Sequence, residues 1–385
     1  MKLHTRTNYR TVILVRSRAI DPSVHKVAKV LAQNNYNVKL LIWDRKGEKY
    51  FEKLNGYSVR YFSIKAPYDK VSVAFYLPLW WLYEFFFLLL SDAKIIHACD
   101  LDTLLPAITI KLIKKVKLCY TIYDFYADNL PKSFPSFARK LIAWIEKFSI
   151  GLCDAIFIVD PTRYRQIKGA RIKSIGILYN SPPDYVEGRF ASKSSATREV
   201  TLFYAGLIDR SRGLIDILKV IRNLDGVKLI IAGSGPDERI FKNLPSYLKH
   251  KVEYVGFIPY EEVMKRTLEA DILFALYDPS IPNNIYASPN KLFEAMMCGK
   301  PIIVNEEITA TEIVKKERCG LVVPYGNVEA IKGAIIRLKR DPKLRLMLGR
   351  NGRLAYEKRY NWKLIEKKLI STYRELNEFL ARSLN

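Results

Sequence analysis

The sequence predicts an α/β protein with two doubly wound domains that face a cleft. Apolar strand-like runs alternate with amphipathic helical stretches along most of the chain, which is typical of parallel sheets covered by helices. A segment rich in serine and proline, 180–198, interrupts this alternation. The length of 385 residues also exceeds what one hydrophobic core usually spans. We therefore expect an N-terminal domain over 1–182 and a C-terminal domain over 183–361, with the last helix, 362–385, packing back on the N-terminal domain.

The N-terminal half is predicted to alternate strands with helices. Short apolar runs predict strands at 11–15, 38–43, 94–98, 117–122 and 155–159. Apolar residues at helical spacing predict helices at 22–34, 79–90, 104–115 and 138–152. Asp21 precedes the first of these helices, so its carboxylate can cap the free N–H groups of the first turn.

The C-terminal half repeats the same pattern. Strands are predicted at 201–204, 227–232, 252–255, 272–275, 301–304 and 320–323. Helices are predicted after the last strand at 328–339, 342–358 and 362–383. Two doubly wound units follow from these assignments.

The net charge of +24 requires an explanation, because a chain this basic attracts polyanions. The charges cluster in the first half, at Arg45, Lys46, Lys49, Lys53, Lys111, Lys114, Lys115, Lys117, Arg163, Arg165, Lys168, Arg171 and Lys173. Nucleic acid, an anionic membrane surface and phosphorylated substrates can all use such charges. No nucleic-acid-binding motif accompanies them, so we expect no nucleic-acid partner and favour a membrane surface, with ordinary solvated lysines as an equally weighted alternative.

The cysteines indicate a reducing, cytosolic setting. They are scattered, odd in number and without a CxxC pair, which predicts neither a disulfide framework nor a zinc site. Residues 1–10 are polar and basic without an apolar core, so we expect no signal peptide.

One segment, 71–90, has the apolar length of a membrane span and reads VSVAFYLPLWWLYEFFFLLL. It contains Pro78 and Glu84, and its many aromatic residues are more typical of a membrane interface than of a lipid-spanning core. An interfacial helix and a helix buried in the first domain are therefore equally supported, and a true span is less expected.

Candidate ligand-binding residues lie in the loops that follow the predicted strands of the second domain, because open α/β sheets bind ligands there. Segment 287–304 reads as a polar loop, a short helix, a glycine and an apolar strand. It places Lys291 and Glu294 on the first turns of a helix whose N-terminus attracts phosphate, while the carboxylate can accept hydrogen bonds from ribose hydroxyls. Gly206 allows close backbone approach to a phosphate, and Arg210 or Arg212 can clamp its oxygens.

The order of these motifs resembles the retaining family 4 glycosyltransferases of GT-B fold, which consist of two Rossmann-like domains. The resemblance covers almost the whole chain. In the second domain it rests on the stretches 204–206, 212–213, 231–236, 255–259, 288–295 and 298–301. In the first domain it rests on 21–22, 97–100 and 103–106.

The resemblance implies roles for individual residues. Arg210, Arg212 and Lys291 would be catalytic groups at the donor diphosphate, and Glu294 would hold the nucleotide ribose. The other donor-binding residues would be Gly206, Gly233, Gly235, Gly256, Phe257, Ser288, Pro289 and Asn290. His97 would point from its strand end into the cleft and orient the acceptor, although a structural histidine is equally expected. Asp21, Asp100, Tyr123 and Asp124 would lie on the acceptor side.

The sequence departs from the family pattern at four positions. The family usually has two glutamates eight residues apart, and the earlier position here is Tyr286. Leu207 replaces the arginine that usually follows the first glycine, Tyr123 replaces a histidine, and Ser23 replaces an arginine. These changes leave the donor sugar undetermined.

The resemblance implies a retaining, metal-independent glycosyltransferase without a cofactor. It would move a sugar from a nucleotide-sugar donor to a lipid-linked or glycan acceptor, in the cytoplasm and peripherally on the inner face of the cell membrane. A non-catalytic nucleotide-sugar-binding partner subunit remains an alternative because of Tyr286 and Leu207. A nucleotide-sugar epimerase of the same fold is less favoured, since acid and base carboxylates are not evident.

Overall fold

The computed structural model describes residues 11–19, 22–54, 56–67, 72–130, 134–186 and 199–382. The chain divides into two compact units. Unit 1 consists of Met1–Tyr179 and Ile365–Asn385, and unit 2 consists of Asn180–Leu364.

Unit 1 contains a sheet of eight strands. They are β1 (Thr11–Arg16), β2 (Asn37–Trp43), β3 (Phe51–Leu54), β4 (Tyr57–Phe62), β5 (Ile95–Cys99), β6 (Lys117–Ile122), β7 (Ala155–Ile158) and β8 (Ile175–Ile177). Their order across the sheet is β3-β4-β2-β1-β5-β6-β7-β8, and only β3 runs antiparallel to its neighbour.

Helices cover this sheet. They are α1 (Pro22–Gln33), α2 (Leu77–Leu90), α3 (Leu101–Ile113), α4 (Ser136–Ile150) and the C-terminal helix (Trp362–Arg382). The helices α2, α3 and α4 share one hydrophobic core with inward-facing residues of the strands, such as Ile13, Ile96 and Ile156. The C-terminal helix contributes Tyr373, whose ring packs against those of Tyr36 and His97.

Unit 2 contains a fully parallel sheet of six strands. They are β9 (Val200–Ala205), β10 (Val227–Ala232), β11 (Val252–Gly256), β12 (Ile272–Ala275), β13 (Ile302–Asn305) and β14 (Gly320–Val323). Their order is β11-β10-β9-β12-β13-β14. The chain first moves outward from β9 to β11 and then returns to β12 on the other side of β9. The switch point of the sheet therefore lies between β9 and β12, and the loops after these two strands meet there.

The helices of unit 2 complete a doubly wound α/β domain. They are α5 (Leu214–Arg222), α6 (Glu238–Lys242), α7 (Tyr260–Glu269), α8 (Pro282–Ile285), α9 (Asn290–Cys298), α10 (Ala310–Glu317), α11 (Val328–Arg340) and α12 (Pro342–Ala355). A π-helical turn, Tyr356–Tyr360, connects α12 to the C-terminal helix, which is α13 in chain order. The α/β class and the two Rossmann-like sheets predicted from the sequence are confirmed.

The structure also corrects several sequence-based assignments. The strands β3, β4 and β8 were not predicted, because none is a continuous apolar run: β3 has four residues and β8 three, and β4 carries Ser58 and Arg60 between its apolar residues. The helix predicted to reach Lys358 ends at Ala355. Arg163, which the sequence placed in a basic cluster, is buried and lies 3.7 Å from Asp124. Asp21, the predicted cap of α1, lies outside the described residues.

The aromatic helix α2 is buried on one side and exposed on the other. Leu77, Trp80, Glu84 and Leu88 are buried, whereas the residues between them include several exposed large apolar side chains. Among the described residues, no helix has both the length and the apolar composition needed to cross a bilayer.

Glu84 is an unusual member of this core. Its side chain is fully buried, and neither carboxyl oxygen has a hydrogen-bond partner in the described structure. Burial and, to a smaller extent, the nearby carboxylate of Asp102 raise the pKa of Glu84 well above its usual value. Burial without a hydrogen-bond partner therefore favours the neutral, protonated form of Glu84 in the folded protein.

We predict that Glu84→Gln makes the melting temperature less sensitive to pH. An unfolded glutamate ionises near pH 4.3, so above that pH the folded state binds more protons than the unfolded state and stability falls as pH rises, by at most about 1.4 kcal/mol per pH unit. Glutamine does not titrate, so the variant lacks this pH-dependent contribution to stability. In melting curves from pH 5 to pH 8, the melting temperature of the variant should rise relative to that of wild type as the pH approaches 8.

The control is Glu329→Gln, because the Glu329 side chain is 80% exposed. It should follow wild type at every pH. A constant offset between Glu84→Gln and wild type over the whole range would contradict a neutral Glu84.

Candidate functional site

The candidate site lies at the switch point of the unit 2 sheet. The strand β9 ends at Ala205 and is followed by Gly206, which has a φ of +152°. A Cβ atom at Gly206 would lie 2.8 Å from Nζ of Lys291. The absence of a side chain at this position therefore lets the Lys291 ammonium approach the backbone of the loop after β9.

Lys291 lies in the first turn of α9 and is buried. Its ammonium is 4.2 Å from the ring centroid of Tyr204, and it also forms a hydrogen bond with the Tyr204 hydroxyl. That hydroxyl donates to the carbonyl oxygen of Leu207 at 2.7 Å. The ring and hydroxyl of Tyr204 therefore fix the position of a buried cation.

Arg212 is held in a similar way. It ends the turn before Gly213, and its guanidinium lies 4.2 Å from the ring centroid of Tyr277, in the loop after β12. Its Nη1 is 3.4 Å from Oδ1 of Asn284, a long contact, and Asn284 is in turn fixed by donating to the carbonyl of Asp278 at 3.0 Å.

The charge of Arg212 acts to lower the pKa of Lys291, so the two cations lie near enough to repel each other, and the Glu294 carboxylate acts in the opposite direction. Within the described residues, neither forms an ion pair with a carboxylate. Both positive charges are positioned by tyrosine rings, and the nearby Glu294 carboxylate attracts Lys291 without forming a salt bridge with it in the described structure. Such a pair, next to a glycine loop and a helix N-terminus, suits an anion with several oxygen atoms.

Arg210 forms an ion pair of its own in this structure. The sequence assigned it to the same anion, but Asp237 occupies its guanidinium, with 2.9 Å between Nη2 and Oδ1. The Arg210 backbone N–H also donates to Asp237 at 2.7 Å. Its charge is therefore compensated, and its side chain is 75% exposed. Arg210 is paired with Asp237 in this structure, and its place at the donor diphosphate stays a prediction.

Glu294 lies one turn after Lys291 in α9 and is buried. Its Oε1 accepts a hydrogen bond from the Tyr260 hydroxyl at 3.1 Å. Burial, followed by the charge of Glu294, raises the pKa of Tyr260 above its usual value, so Tyr260 remains a neutral donor. This hydrogen bond orients the carboxylate.

Tyr260 begins α7, directly after the loop that contains Gly256 and Phe257. Gly256 has a φ of +72°, and Phe257 is 81% exposed. The exposed ring can stack on a planar ligand.

The glycines of the loop after β10 serve close backbone packing. A Cβ atom at Gly233 would lie 1.9 Å from the carbonyl oxygen of Gly206, and one at Gly235 would lie 2.3 Å from that of Ile208. The amide of Gly206 donates to Ala232 at 3.0 Å. Gly233 and Gly235 therefore fix the shape of the Gly206 loop, and the structure gives them this packing role.

The three residues before Lys291 form the entry to α9. Pro289 occupies the N-cap position and Asn290 is the first helical residue. The carbonyl of Ser288 accepts a hydrogen bond from Asn180 Nδ2 at 2.9 Å, which fixes the entry of the helix. The Leu292 N–H of the first turn of α9 donates to the carbonyl of Pro289 at 3.1 Å, and the start of a helix leaves its other first N–H groups without intrahelical acceptors.

In unit 1, His97 does not point out of its strand end, and of the two expectations from sequence the structural histidine fits the geometry. It is buried in β5, with Nδ1 2.6 Å from the hydroxyl of Tyr373 and Nε2 2.5 Å from that of Thr121. Burial lowers the pKa of His97 to about 3, so the ring is neutral. His97 is a structural residue that joins the C-terminal helix to the sheet.

The structure brings Asp100, Tyr123 and Asp124 together at the carboxyl ends of β5 and β6. Asp100 Oδ1 accepts hydrogen bonds from the backbone N–H groups of Tyr123 and Asp124, at 2.9 and 3.0 Å. Oδ2 lies 3.6 Å from Arg16 and 3.7 Å from Arg18. Burial raises the pKa of Asp100 to about 6 against the opposing effect of both arginines.

Sequence reasoning missed several residues of these two clusters. In unit 2 they are Tyr204, Tyr277 and Asn284, and in unit 1 they are Arg16, Arg18 and Arg163. The available signal was position, because Tyr277, Arg16 and Arg18 each lie at or just after the carboxyl end of a strand. Tyr204 lies inside β9 and gave no such signal.

Comparisons with known proteins agree with this geometry. Residues 22–181 match the family model of Glycosyltransferase Family 4, and residues 187–355 match that of Glycosyl transferases group 1. Between them, the two models match most of the chain.

Two relatives and one solved structure illustrate the similarity. An uncharacterised glycosyltransferase of Methanocaldococcus jannaschii is 26% identical over 305 residues, which cover 73% of each chain. A GDP-mannose-dependent monoacylated alpha-(1-6)-phosphatidylinositol monomannoside mannosyltransferase of Corynebacterium glutamicum is 28% identical over 235 residues, which cover 60% of each chain. The solved structure, a sucrose-phosphate synthase from Thermosynechococcus elongatus, superimposes with a TM-score of 0.77 at 18% identity and covers 97% of this chain and 100% of its own.

The family models cover both units, the curated relatives are glycosyltransferases, and the solved structure shares the fold. The chain therefore belongs to the family 4 glycosyltransferases of GT-B fold.

Proposed function

We propose that the protein transfers a sugar from a nucleotide-sugar donor to a lipid-linked or glycan acceptor, with retention at the anomeric carbon and without a metal ion. The single observation that carries the proposal is the pair of cations Arg212 and Lys291 at the switch point of unit 2, each on a tyrosine ring and neither in a salt bridge with a carboxylate of the described residues.

The donor diphosphate would bind between the Gly206 loop and the N-terminus of α9. Its oxygens would accept hydrogen bonds from Lys291, Arg212 and the first N–H groups of the helix. Glu294, oriented by Tyr260, would accept hydrogen bonds from the ribose hydroxyls. The base would lie against Gly256 and the exposed ring of Phe257.

Breaking the bond between the anomeric carbon and the diphosphate oxygen places additional negative charge on the leaving group. Preorganised positive groups stabilise that charge, and this is the main demand of the reaction. Arg212 and Lys291 are fixed by tyrosine rings before the donor arrives, so little reorganisation is needed. The acceptor hydroxyl would enter on the face that the leaving group departs from, and a diphosphate oxygen would take its proton. No protein base is then required.

The acceptor is proposed to carry a lipid or glycan and to be met at the cytosolic face of the membrane. The Corynebacterium relative is named for a phosphatidylinositol monomannoside acceptor and a GDP-mannose donor, which supports a lipid acceptor and a nucleotide-linked hexose. The charge of +24 supports an anionic membrane surface. In unit 1, Asp100, Tyr123 and Asp124 are proposed to line the acceptor side, with Arg18 beside them.

A non-catalytic subunit that binds nucleotide sugars is the second candidate. It is favoured by Tyr286, which stands where the family usually has a glutamate. A panel of nucleotide sugars decides between the two candidates, since a binding subunit raises its melting temperature with a donor but releases no nucleoside diphosphate.

We predict that Glu294→Ala and Arg212→Ala fail in different ways. Loss of the ribose contact should raise KM for the donor, whereas loss of a cation at the leaving group should lower kcat by roughly 10²-fold. Uridine, guanosine and adenosine diphosphate sugars are offered with a membrane extract, and released nucleoside diphosphate is measured. Lys265→Ala is the control, because its side chain is 66% exposed on α7 and lies in no part of the site. Wild-type rates in both site variants would reject the site.

Retention and metal independence have their own test. Proton NMR of the first product should show the anomeric configuration of the donor, since the acceptor enters on the leaving-group face. EDTA should leave the rate unchanged, because the two cations already stabilise the diphosphate. An inverted product rejects retention, and loss of activity that Mg²⁺ restores rejects metal independence.

We predict that the ring of Tyr277, rather than its hydroxyl, positions Arg212. A cation–π contact of this kind contributes about 0.5–2 kcal/mol, which corresponds to roughly 2- to 30-fold in affinity. Calorimetric titration with GDP and UDP should show wild-type affinity for Tyr277→Phe and weaker binding for Tyr277→Leu. Equal affinities of the two variants would contradict a role for the ring.

A further inference from the structure

We propose that the outer surface of α2, α3 and α4 in unit 1 docks on an anionic phospholipid bilayer. We call this surface the α2–α4 face. This proposal rests on the proposed function and names the residues that would make the membrane contact.

The three helices form one layer on the same side of the unit 1 sheet. Their inward residues, among them Trp80, Leu104 and Ile150, belong to one hydrophobic core that also contains Ile96 and Ile156 of the sheet. Their outward residues therefore point away from the sheet in a common direction. A flat partner can contact the helices together.

Large apolar side chains are exposed along this layer. Those of α2 are Leu79, Leu82, Phe86 and Leu90, those of α3 are Leu112 and Ile113, and those of α4 are Phe137, Leu141, Trp144 and Phe148. Their spacing within α2 and within α4 is that of a single helical stripe. Trp144 and Phe148 are 61% and 60% exposed, and their rings stack with centroids 5.6 Å apart. Exposed apolar side chains clustered in this way mark an interaction surface.

The charges on the three helices are sorted by sign. Each helix contains one acidic residue, and all three of these residues, Glu84, Asp102 and Glu146, are buried. Basic residues lie on α3 and α4 but not on α2: Lys140 in α4 and Lys115 just after α3 are exposed, whereas Lys111 of α3 forms an ion pair with Asp154. The α2–α4 face therefore has cations among its apolar residues and no outward carboxylate on the helices themselves.

The combination of exposed apolar side chains and basic residues favours a bilayer over another protein as the partner. Phe and Trp prefer the membrane interface, and lysine extends its ammonium to the headgroups while its stem stays among apolar groups. Each basic residue near an anionic surface adds attraction. Because the exposed residues of the three helices include cations and no carboxylate, two copies of this face would repel each other, and charge complementarity selects anionic lipid as the occupant.

The helices lie on the membrane rather than cross it. The α2 helix has 14 residues and therefore measures about 21 Å, shorter than the ~30 Å hydrocarbon core. Its buried Trp80 and Leu88 belong to the hydrophobic core that packs it on the sheet. Only the outward stripes are available to enter the interface.

The test is co-sedimentation of the full chain with vesicles of phosphatidylcholine alone and of phosphatidylcholine with phosphatidylglycerol. Wild type should bind the anionic vesicles more strongly, and higher salt should weaken binding. Trp144→Glu with Phe148→Glu should lower the partition coefficient at least tenfold, and Leu82→Glu, on the other stripe, should also lower it. Met347→Glu is the matched control, because Met347 is 52% exposed on α12 of unit 2.

Binding of nucleoside diphosphate by the same variants separates this inference from the proposed function. The face variants should keep wild-type affinity and melting temperature, and Glu294→Ala should keep vesicle binding. Unchanged vesicle binding by both the α4 double variant and Leu82→Glu would overturn the inference. The inference would also be overturned if wild type bound no vesicles, or if wild type were a dimer and the α4 double variant a monomer.

Discussion

The candidate donor site depends on two cations that rest on tyrosine rings instead of carboxylates. Lys291 lies on Tyr204 and Arg212 on Tyr277, each 4.2 Å from the ring centroid. A carboxylate would fix such a side chain equally well, but it would also neutralise the charge that a diphosphate needs. A ring gives position through a weaker attraction and leaves the charge available. Arg210 shows the alternative, since Asp237 holds it and compensates it.

The parallel sheet explains why groups distant in sequence meet. The switch point places the loops after β9 and β12 side by side, and α9 begins beside them. The fit requires glycine, because a side chain at Gly233 would collide with the carbonyl of Gly206, and one at Gly206 would reach the Lys291 ammonium. Glu294 follows Lys291 on the same helix, so the proposed ribose and diphosphate contacts are set by one turn of α9.

Much of the fold could be predicted from sequence, because apolar runs and helical spacing are local properties. The strands β3 and β8 were not predicted because they are short and partly exposed, and β4 because polar residues interrupt its apolar ones. Lys291 and Glu294 were found from a loop, helix and glycine pattern. Partners were not predictable, because they come from distant segments: Asp237 is 27 residues from Arg210, and Tyr373 is 276 residues from His97. Likewise, the sequence suggested membrane contact for α2 alone. The exposed apolar residues of α4 became apparent only in the structure, and they extend the proposed contact to a surface of several helices.

The most direct measurement is a crystal structure of the protein with the nucleoside diphosphate that it binds most tightly. We expect the diphosphate oxygens to lie within about 3 Å of Lys291 Nζ and the Arg212 guanidinium, beside the N-terminus of α9. Tyr204 and Tyr277 should still lie under the two cations. A diphosphate bound out of reach of both groups, or held by Arg210 in place of Arg212, would contradict it.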